Sequence, residues 1–374
     1  MTGKEIIKYL EEWAPKGIAW EKDNVGLQVG NPDLKVKNIL LSLDINEDVI
    51  KSAIKEKCNF IISHHPLLFH PLKNLDFSGS KNAKLIEQLI KNNITIYSSH
   101  TNLDFTKHGV SYQLARRLDL KNINFLKNLK ENQFKLCVFV PLTHINNVAD
   151  AMHHAGAGII GEYSHCSFQT IGTGTFKGSE LSNPFLGKKG KTESADEVKL
   201  EVLVNEWKLS QVINSMKKAH PYEEVAYDVY SLKNYNVNYG IGAIGDLNIS
   251  LKPKDFLKFV SSKLKTNGLR YSTGKTQTIK KVAVCGGSCG ELFDEATKQN
   301  ADAFITADLK YHTFQDSEGK ILLIDAGHYE TEEPIIDEIK RRLDSFLNEE
   351  KKIKVLKFKG STNPIVFFNN TGAN

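Results

Sequence analysis

The chain has 374 residues, enough for two or three domains, and its 40% hydrophobic and 25% charged residues are the ordinary balance of globular proteins. Its formal net charge of +5 is small for this length, so charge gives no argument for a nucleic-acid or membrane partner. No apolar run approaches the roughly 20 residues that cross a bilayer, which predicts that no segment spans a membrane.

The N-terminal segment MTGKEIIKYLEEWAPKG is predicted to form an amphipathic helix with acidic residues inside it. It therefore lacks the apolar core of a signal peptide. Five cysteines are scattered along the chain, an odd and small number that suits a reducing compartment better than a disulfide framework. We therefore predict a cytoplasmic protein.

Strand and helix patterns alternate in the first third of the chain. In order, they are the strand VKNILLSLDI, the helix EDVIKSAIKEK after the capping residue Asn46, the strand CNFIISHH, the helix KNAKLIEQLIKNN, the strand ITIYSSH and the helix GVSYQLARRLDL. Aspartate, asparagine and serine are favoured at such capping positions. The alternation predicts a parallel or mixed sheet that is covered by helices.

The middle of the chain follows a different order of elements. The patterns predict the strand FKLCVFVP, the helix THINNVADAMHHAG, the strands CSFQTIGTGTF and KLEVLVNEW, the helix SQVINSMKKAH and the strand EEVAYDVYSL. The stretch KGSELSNPFLGKKGKTESADE between the second and third strands is rich in Gly, Lys and Ser and is predicted to be a loop. The order β-α-β-β-α-β is the ferredoxin-like arrangement, so we predict an α+β insert domain over residues 129–234.

The α/β pattern resumes after this insert. It comprises the strand KKVAVCGG, the helix ELFDEATKQN, the strand ADAFITAD, a strand with its following loop in KILLIDAGHYE, and the helix PIIDEIKRRLDSFL. We therefore predict that residues 1–128 and 235–374 form one discontinuous, layered α/β domain with a mixed sheet. The insert interrupts this outer domain.

Side chains that commonly bind metals follow predicted strands at several places. They are His64, His65, Asp104, His328 and Glu332. Ligands of open α/β sheets bind beyond the carboxyl ends of strands. Adjacent side chains of an extended segment lie on opposite sides, so His64 and His65 suit one ion each better than one shared ion. We predict two divalent ions side by side, an arrangement typical of hydrolytic sites.

The types of ligand limit the candidate metals but do not identify one. Imidazole and carboxylate together accommodate zinc, iron, manganese or nickel. The lack of thiolate ligands argues against a structural zinc site.

Several assignments at this site stay open in the sequence. His100 either binds an ion or orients Asp104 from outside, and Asp104 itself has the alternative role of capping the following turn. Glu330 and Glu333 compete with Glu332 for the position of the carboxylate ligand.

The spacing of His328 and Glu332 gives a further expectation. Residues four apart share one face of a helix, and Pro334 permits helical backbone only near a helix start. The pair is therefore expected to straddle a loop and the first turn of the following helix. A carboxylate at this position is able to bridge two cations.

Three other motifs receive structural interpretations. CGGSCGELF lacks the lysine and spacing of a P-loop, so it is predicted to be a tight glycine-rich turn. Cys285 and Cys289 within it are predicted to be ordinary thiols. HPYE, beginning at His220, marks the end of a helix. The run of lysines over residues 188–191 is a solvated loop with too few charges for a nucleic-acid interface.

The motifs DNVGLQVG, ISHHPLLF, SSHTNLD, ITADLKYH and DAGHYETE occur in this order between Asp23 and Glu332. Through them the sequence resembles the GTP cyclohydrolase 1 type 2 homologue family, also called NGG-interacting-factor-three-like, over nearly the whole chain. The resemblance implies a dinuclear metal centre at the five ligands named above and a toroidal homohexamer. HPYEEVAYDVY, over residues 220–230, resembles the PII/CutA-like insert of the longer bacterial members.

The resemblance also implies an activity. It implies a metal-dependent hydrolase with a small-molecule substrate such as a nucleotide, converting GTP to dihydroneopterin triphosphate with loss of C8 of the guanine as formate. Glu332 is the carboxylate predicted to move protons. The sequence carries no guanine-specific signature, so the substrate stays open. The alternative is a non-catalytic metal-binding scaffold, metal chaperone or regulatory protein, which the PII-like insert suggests because the resemblance implies a role of such domains in assembly or small-ligand sensing.

Overall fold

The computed structural model describes residues 1–348 and 352–368, and the chain divides into two compact units. Unit 1 comprises Met1–Lys127 and Tyr239–Asn374, and unit 2 comprises Asn128–Asn238. The insert predicted over 129–234 falls within unit 2. No helix among the described residues is long and apolar enough to cross a membrane.

The first part of unit 1 alternates strands and helices. Its elements are α1 (Gly3–Trp13), β1 (Gly26–Val29), β2 (Asn38–Ser42), α2 (Glu47–Lys55), β3 (Phe60–Ser63), α3 (Lys81–Lys91), β4 (Thr95–Ser98), α4 (Thr101–Asp104), α5 (Val110–Arg117) and β5 (Lys121–Lys130). Unit 2 follows with β6 (Gln133–Pro141), α6 (Ile145–His154), β7 (Ser167–Lys177), β8 (Thr192–Asn205), α7 (Glu206–Ala219) and β9 (Tyr227–Leu232).

The chain then completes unit 1. The remaining elements are β10 (Tyr235–Leu251), α8 (Pro253–Leu264), β11 (Arg270–Ser272), β12 (Ile279–Val284), α9 (Phe293–Lys298), β13 (Ala303–Thr306), α10 (Tyr311–Ser317), β14 (Leu322–Asp325), α11 (His328–Glu332), α12 (Ile335–Phe346) and β15 (Lys354–Lys357). Short 3₁₀ turns occur at Lys16–Ile18, Leu142–His144 and Gly290–Leu292.

Unit 1 contains two mixed sheets. The first has the order β1-β4-β3-β2-β15 and is parallel except for β1, and the second has the order β11-β14-β13-β12-β10-β5, in which β12, β13 and β14 are parallel. In β2, Ile39 and Leu41 pack into one hydrophobic core and Leu40 into another. Burial on both faces explains the unbroken apolar run of this strand.

The parallel strands set the position of the candidate site. β3 ends at Ser63 and β4 at Ser98 in the first sheet, and β14 ends at Asp325 in the second. The carboxyl ends of parallel strands lie at one edge of a sheet, where the following loops form the usual ligand-binding region. Every one of the predicted metal ligands lies just beyond one of these three strand ends.

Unit 2 is one antiparallel sheet with two helices. Its strand order is β7-β8-β6-β9, and α6 and α7 pack against one face through a core that includes Val138, Met152, Val202 and Val212. The chain order β-α-β-β-α-β is the ferredoxin-like arrangement. The finer likeness to PII and CutA domains stays a prediction.

The structure differs from the sequence expectations in two regions. The loop predicted up to Glu197 is too long, because β8 begins at Thr192 and its first residues pair with β7, as Glu193 does with Phe176. The paired strands are largely exposed there, so their residues are polar. A strand without apolar residues at regular spacing is not recognised from its hydrophobicity pattern. Residues 235–279 received no element in the sequence analysis, and they contain β10, α8, β11 and the start of β12.

The predicted cap of α2 is present and provides a test of local stability. The side chain of Asn46 accepts a hydrogen bond from the backbone N–H of Val49 at 3.0 Å. Asn46→Ala removes this acceptor, so we expect the free energy of unfolding to fall by about 1 kcal/mol. Urea denaturation followed by circular dichroism measures the change. Asn46→Asp keeps a capping oxygen and should remain near wild type, and equal losses in both variants would contradict the assignment.

Candidate metal centre

The first two histidines of the site are fixed by the ends of β2 and β3. The backbone N–H of His64 donates to the carbonyl of Ser42 at 3.3 Å, and that of His65 donates to the carbonyl of Leu43 at 2.9 Å. These bonds continue the β2–β3 ladder by two residues beyond the strand. The ring centroids of the two adjacent imidazoles lie 4.9 Å apart, and both rings approach the carboxylate of Glu332. That each binds its own ion stays a prediction.

Three imidazoles lie around the carboxylate of Glu332. Its Oε1 atom lies 3.0 Å from Nε2 of His328 and 3.7 Å from Nε2 of His64. Its Oε2 atom lies 3.0 Å from Nε2 of His65, although the pair is not aligned as a hydrogen bond. Asp104 completes the cluster, with Oδ1 at 3.6 Å from Nε2 of His64. The structure therefore brings together all five residues that the sequence singled out.

The imidazoles are oriented by hydrogen bonds outside the cluster. In each of four rings, Nδ1 donates to an oxygen outside the cluster, which leaves Nε2 as the nitrogen available to a ligand. The pairs are His64 with the carbonyl of Ser99 (2.8 Å), His65 with Asp44 (2.8 Å), His328 with Asp308 (2.6 Å) and His100 with Asp23 (3.0 Å). Metal-binding histidines characteristically have such partners, which fix the tautomer and the ring orientation.

The acceptors Asp44, Asp308 and Asp23 were missed by the sequence analysis. They lie in the segments VKNILLSLDI, ITADLKYH and DNVGLQVG. The available signal was their position: Asp44 follows β2 and Asp308 follows β13, at the same sheet edges as the ligands. An aspartate at that edge is a natural partner for a neighbouring imidazole.

Burial and opposite charges govern the protonation of the cluster. Burial by itself would raise the pKa of Glu332, but the imidazoles of His64, His328 and His65 hold that pKa well below its usual range. Burial would lower the pKa of His65, but Asp44 and Glu332 raise it to about 10. The pKa of His328 is raised to about 9 by Glu332 and Asp308, against the effect of burial.

Without a cation, therefore, protons on the imidazoles neutralise the carboxylates. The same groups have the protonation behaviour expected of metal ligands, because a bound cation takes the place of those protons.

Three buried polar atoms at the centre lack a hydrogen-bond partner among the described residues. They are Nε2 of His64, Oδ1 of Asp104 and Oε2 of Glu332. A buried polar atom left in this state costs about 1–3 kcal/mol. Three such atoms at one point indicate that their partner is something the protein binds. Neutral imidazole and carboxylate oxygen are donors that fit a divalent first-row ion, so these residues match the predicted group.

Two sets of donor atoms lie close enough to share an ion. His65, His328 and Glu332 form one set, and His64, His65 and His100 form the other, with the donor atoms of each set within 4.8 Å of one another. His100 therefore lies beside the predicted ligands. Its hydrogen bond goes to Asp23, so the alternative that His100 orients Asp104 is not supported.

The competing carboxylates are engaged elsewhere. Glu330 accepts a hydrogen bond from the side-chain amide of Asn363 at 3.1 Å, and Glu333 accepts one from Arg117 at 3.3 Å. Asp104 is the last residue of α4, and its buried Oδ1 makes no hydrogen bond with any described group. These contacts leave Glu332 as the carboxylate of this segment that faces the histidines.

The expected placement of His328 and Glu332 is wrong in one respect. Both lie in α11, a separate short helix, and the long helix α12 begins only at Ile335. Pro334 precedes α12 and has no backbone N–H to donate, so the helical hydrogen-bond ladder of α11 does not continue through it. The two ligands therefore sit on one helical turn, as their spacing of four allows.

The glycine-rich turn after β12 forms one wall of the centre. Gly287 has φ +68°, and a Cβ atom there would lie 2.3 Å from Oε1 of Glu332, so only glycine allows the turn to approach the carboxylate this closely. The turn also brings Cys285 and Cys289 to a Cα–Cα distance of 6.1 Å, and the structure pairs them as a disulfide. The prediction that they are ordinary thiols is therefore wrong.

The sequence model of Duf34/NIF3 (NGG1p interacting factor 3) matches residues 1–364 of this chain. The chain belongs to this family. A "GTP cyclohydrolase 1 type 2 homolog" of Halalkalibacterium halodurans is 38% identical over 370 residues, covering 98% of this chain and 99% of that protein. The Bacillus subtilis protein of the same name is 37% identical over 370 residues, with the same coverage. The family resemblance seen in the motifs is thus confirmed.

A solved structure in this family has the same fold. The Bacillus cereus protein related to NIF3 superposes with a TM-score of 0.84 at 37% sequence identity, covering 98% of this chain and 99% of that chain. A Staphylococcus aureus family member superposes with a TM-score of 0.78 at 30% identity. Both comparisons cover nearly the full length, so they include unit 2 as well as unit 1.

The Nδ1 hydrogen bonds predict a measurable effect on metal affinity. Asp44→Ala leaves all five predicted ligands in place but removes the partner of His65, so we expect zinc affinity to fall by about 10–100-fold. Competition with a chelating dye measures the affinity. Asp48→Ala, at an exposed aspartate in the first turn of α2, is the matched control and should leave the affinity unchanged. An unchanged affinity in Asp44→Ala would contradict the role given to this bond.

Proposed function

We propose that this family member is a divalent-metal-dependent hydrolase with a two-ion centre held by His64, His65, Asp104, His328 and Glu332. The observation that carries the proposal is the group of three buried donor atoms without a hydrogen bond, one each on His64, Asp104 and Glu332. A purely structural cluster would satisfy these atoms internally, because the fold otherwise bears the cost of leaving them unpaired. Two divalent ions, when bound, supply Lewis-acid polarisation and water activation.

Glu332 is better suited to ligation than to proton transfer. It lies between the imidazoles of His328 and His65, with Oε1 near the first and Oε2 near the second. Its pKa is held well below its usual range, and a carboxylate with a strongly lowered pKa is a weak base. The proton-transfer role that the sequence suggested for Glu332 remains a prediction, and the geometry favours its role as the shared carboxylate.

His100 is the group best placed to move a proton. Its Nδ1 donates to Asp23 at 3.0 Å, and its ring lies 5.2 Å from that of His64 and 5.4 Å from that of His65. Burial would raise the pKa of Asp23, but hydrogen bonds from His100 and Thr101 lower it to about 2. Asp23 is thus a fixed negative partner, and an imidazole backed by a carboxylate is the usual arrangement of a general acid or base.

The substrate proposed first is GTP, because the relatives carry the name GTP cyclohydrolase 1 type 2 homolog. The reaction would open the imidazole ring of guanine and release C8 as formate. The second candidate is a metal-binding scaffold, chaperone or regulator. It is favoured by unit 2, a separately packed domain that contributes none of the five ligands. The toroidal homohexamer and the cytoplasmic location stay proposals beside this one.

The hydrolase proposal is tested by formate release from GTP. Protein loaded with zinc or manganese should release formate, and His65→Ala should lose at least about 100-fold of that rate because the centre loses a ligand to an ion. His154→Ala is the control, because it removes an exposed histidine of unit 2 that is also the second of an adjacent pair. This variant should keep the wild-type rate.

Two results would contradict this proposal. One is the same turnover in His65→Ala as in wild type. The other is no turnover by the metal-loaded protein on GTP and on a panel of phosphoesters and cyclic C–N substrates. Metal-dependent assembly accompanying the second result would favour the scaffold.

His100→Asn separates proton transfer from metal binding. Asparagine keeps a donor for Asp23 but has no titratable nitrogen, so we expect kcat to fall about 100-fold while metal content and KM stay near wild type. Metal analysis of the same preparation provides the second readout. A loss of bound metal in parallel with the loss of activity would instead make His100 a ligand.

A further inference from the structure

Unit 2 contains a cavity of its own, separate from the residues of the metal centre. Its volume is about 600 Å³, and its lining comes entirely from residues of unit 2 between Phe139 and Ala226. Volumes of about 300–1,000 Å³ are typical of small-molecule sites. Nothing in the proposed hydrolase function uses this cavity.

The cavity lies on the sheet face opposite the two helices. Val138 and Val140 of β6 and Leu200 of β8 are buried in the core that the sheet shares with the two helices. Phe139 and Glu197 alternate with them, so their side chains lie on the other face, and both line the cavity. The segment after β7, through Phe185, covers this part of the sheet.

Aromatic rings form much of the wall. The ring of Tyr222 lies between those of Phe176 and Phe185, with centroid distances of 6.4 Å and 6.1 Å. Phe139 lines the same space. Ring faces carry negative potential, so a wall of this kind favours a flat apolar group or an organic cation.

Glu197 places a negative charge inside this aromatic wall. The residue is 8% exposed, and its Oε1 atom accepts a hydrogen bond from the hydroxyl of Tyr222 at 3.0 Å. Among the described residues, no donor reaches Oε2 and no lysine, arginine or histidine forms an ion pair with this carboxylate. A buried carboxylate is normally paired with a cation, so Oε2 is an unfilled acceptor in the cavity.

The remaining charged residues of the lining preserve this negative character. Glu223 and Glu224 add two carboxylates and Lys177 adds one ammonium, so the four charged side chains sum to a formal charge of −2. Glu223 already accepts the backbone N–H of Asn183 at 2.7 Å. An anionic ligand such as a phosphate would face net repulsion here.

A divalent metal ion also fits this cavity poorly. Glu197 is the only buried carboxylate among the lining residues, and the lining also includes four aromatic side chains. Hard cations require several oxygen ligands. The combination of aromatic faces with one buried acceptor is instead the arrangement that recognises an alkyl- or arylammonium group.

We propose that this cavity binds a small organic cation, in which an ammonium group donates to Oε2 of Glu197 and an apolar or aromatic body packs among Phe176, Phe185 and Tyr222. The site is independent of the metal centre, because its residues and its charge requirement are different. It gives unit 2 the role of recognising an amine.

The test uses two probes of similar size and opposite charge on the full-length protein. They are 2-phenylethylamine and 3-phenylpropionate, titrated by isothermal calorimetry and followed by saturation-transfer NMR. The amine should bind and the carboxylate should not. Glu197→Gln keeps the size of the side chain but removes its charge, so amine affinity should fall by at least about tenfold, as expected for losing a charge-assisted hydrogen bond.

Glu201→Gln is the matched control. Glu201 lies on the same strand and the same sheet face but outside the cavity, where it pairs with Lys199 at 3.0 Å, so amine affinity should remain at the wild-type value. Both variants retain the metal centre, which removes amine binding to a metal as an explanation. Phe185→Ala should weaken the amine as well. Failure of the amine to bind, equal binding in Glu197→Gln, or equal binding of the carboxylate probe would each overturn the proposal.

Discussion

Four imidazole rings in unit 1 each donate a hydrogen bond from Nδ1 to an oxygen outside the cluster, and this constraint decides what the cluster is able to bind. The oxygens belong to Asp23, Asp44, Ser99 and Asp308, which follow or precede different strands. Only the assembled sheets bring them to the histidines. Because Nδ1 is occupied, Nε2 is the nitrogen left for a ligand, and the buried carboxylates are left in need of a cation.

The clustering of the five proposed ligands was predictable because its signals are local. Two adjacent histidines at a strand end and a His-x-x-x-Glu spacing are visible in a few consecutive residues, as is the Asn46 cap. The alternation of strands and helices likewise indicated the layered α/β architecture and the interruption by unit 2. In these cases the chemistry and the periodicity of short segments are sufficient to predict the structure.

The features that the sequence did not predict depend on contacts between segments that are far apart along the chain. β15 joins the first sheet by pairing with β2, more than 300 positions earlier in the chain, and no local pattern marks that partnership. The bonds of Asp44 and Asp308 to histidines, the pairing of Cys285 with Cys289 and the cavity of unit 2 arise in the same way. Glu197 was assigned to a loop because its neighbours are polar, although the strand makes it a buried wall residue.

The number of ions that the centre holds is the most direct test of the proposed two-ion site. Protein purified without chelator or affinity-column metal, analysed by inductively coupled plasma mass spectrometry, should contain two divalent ions per chain. Glu332→Gln should retain fewer than one, because the shared carboxylate is lost, whereas Glu330→Gln should retain both, because Glu330 is bonded to Asn363. One ion or none in the wild-type chain, or two ions in Glu332→Gln, would contradict the two-ion centre.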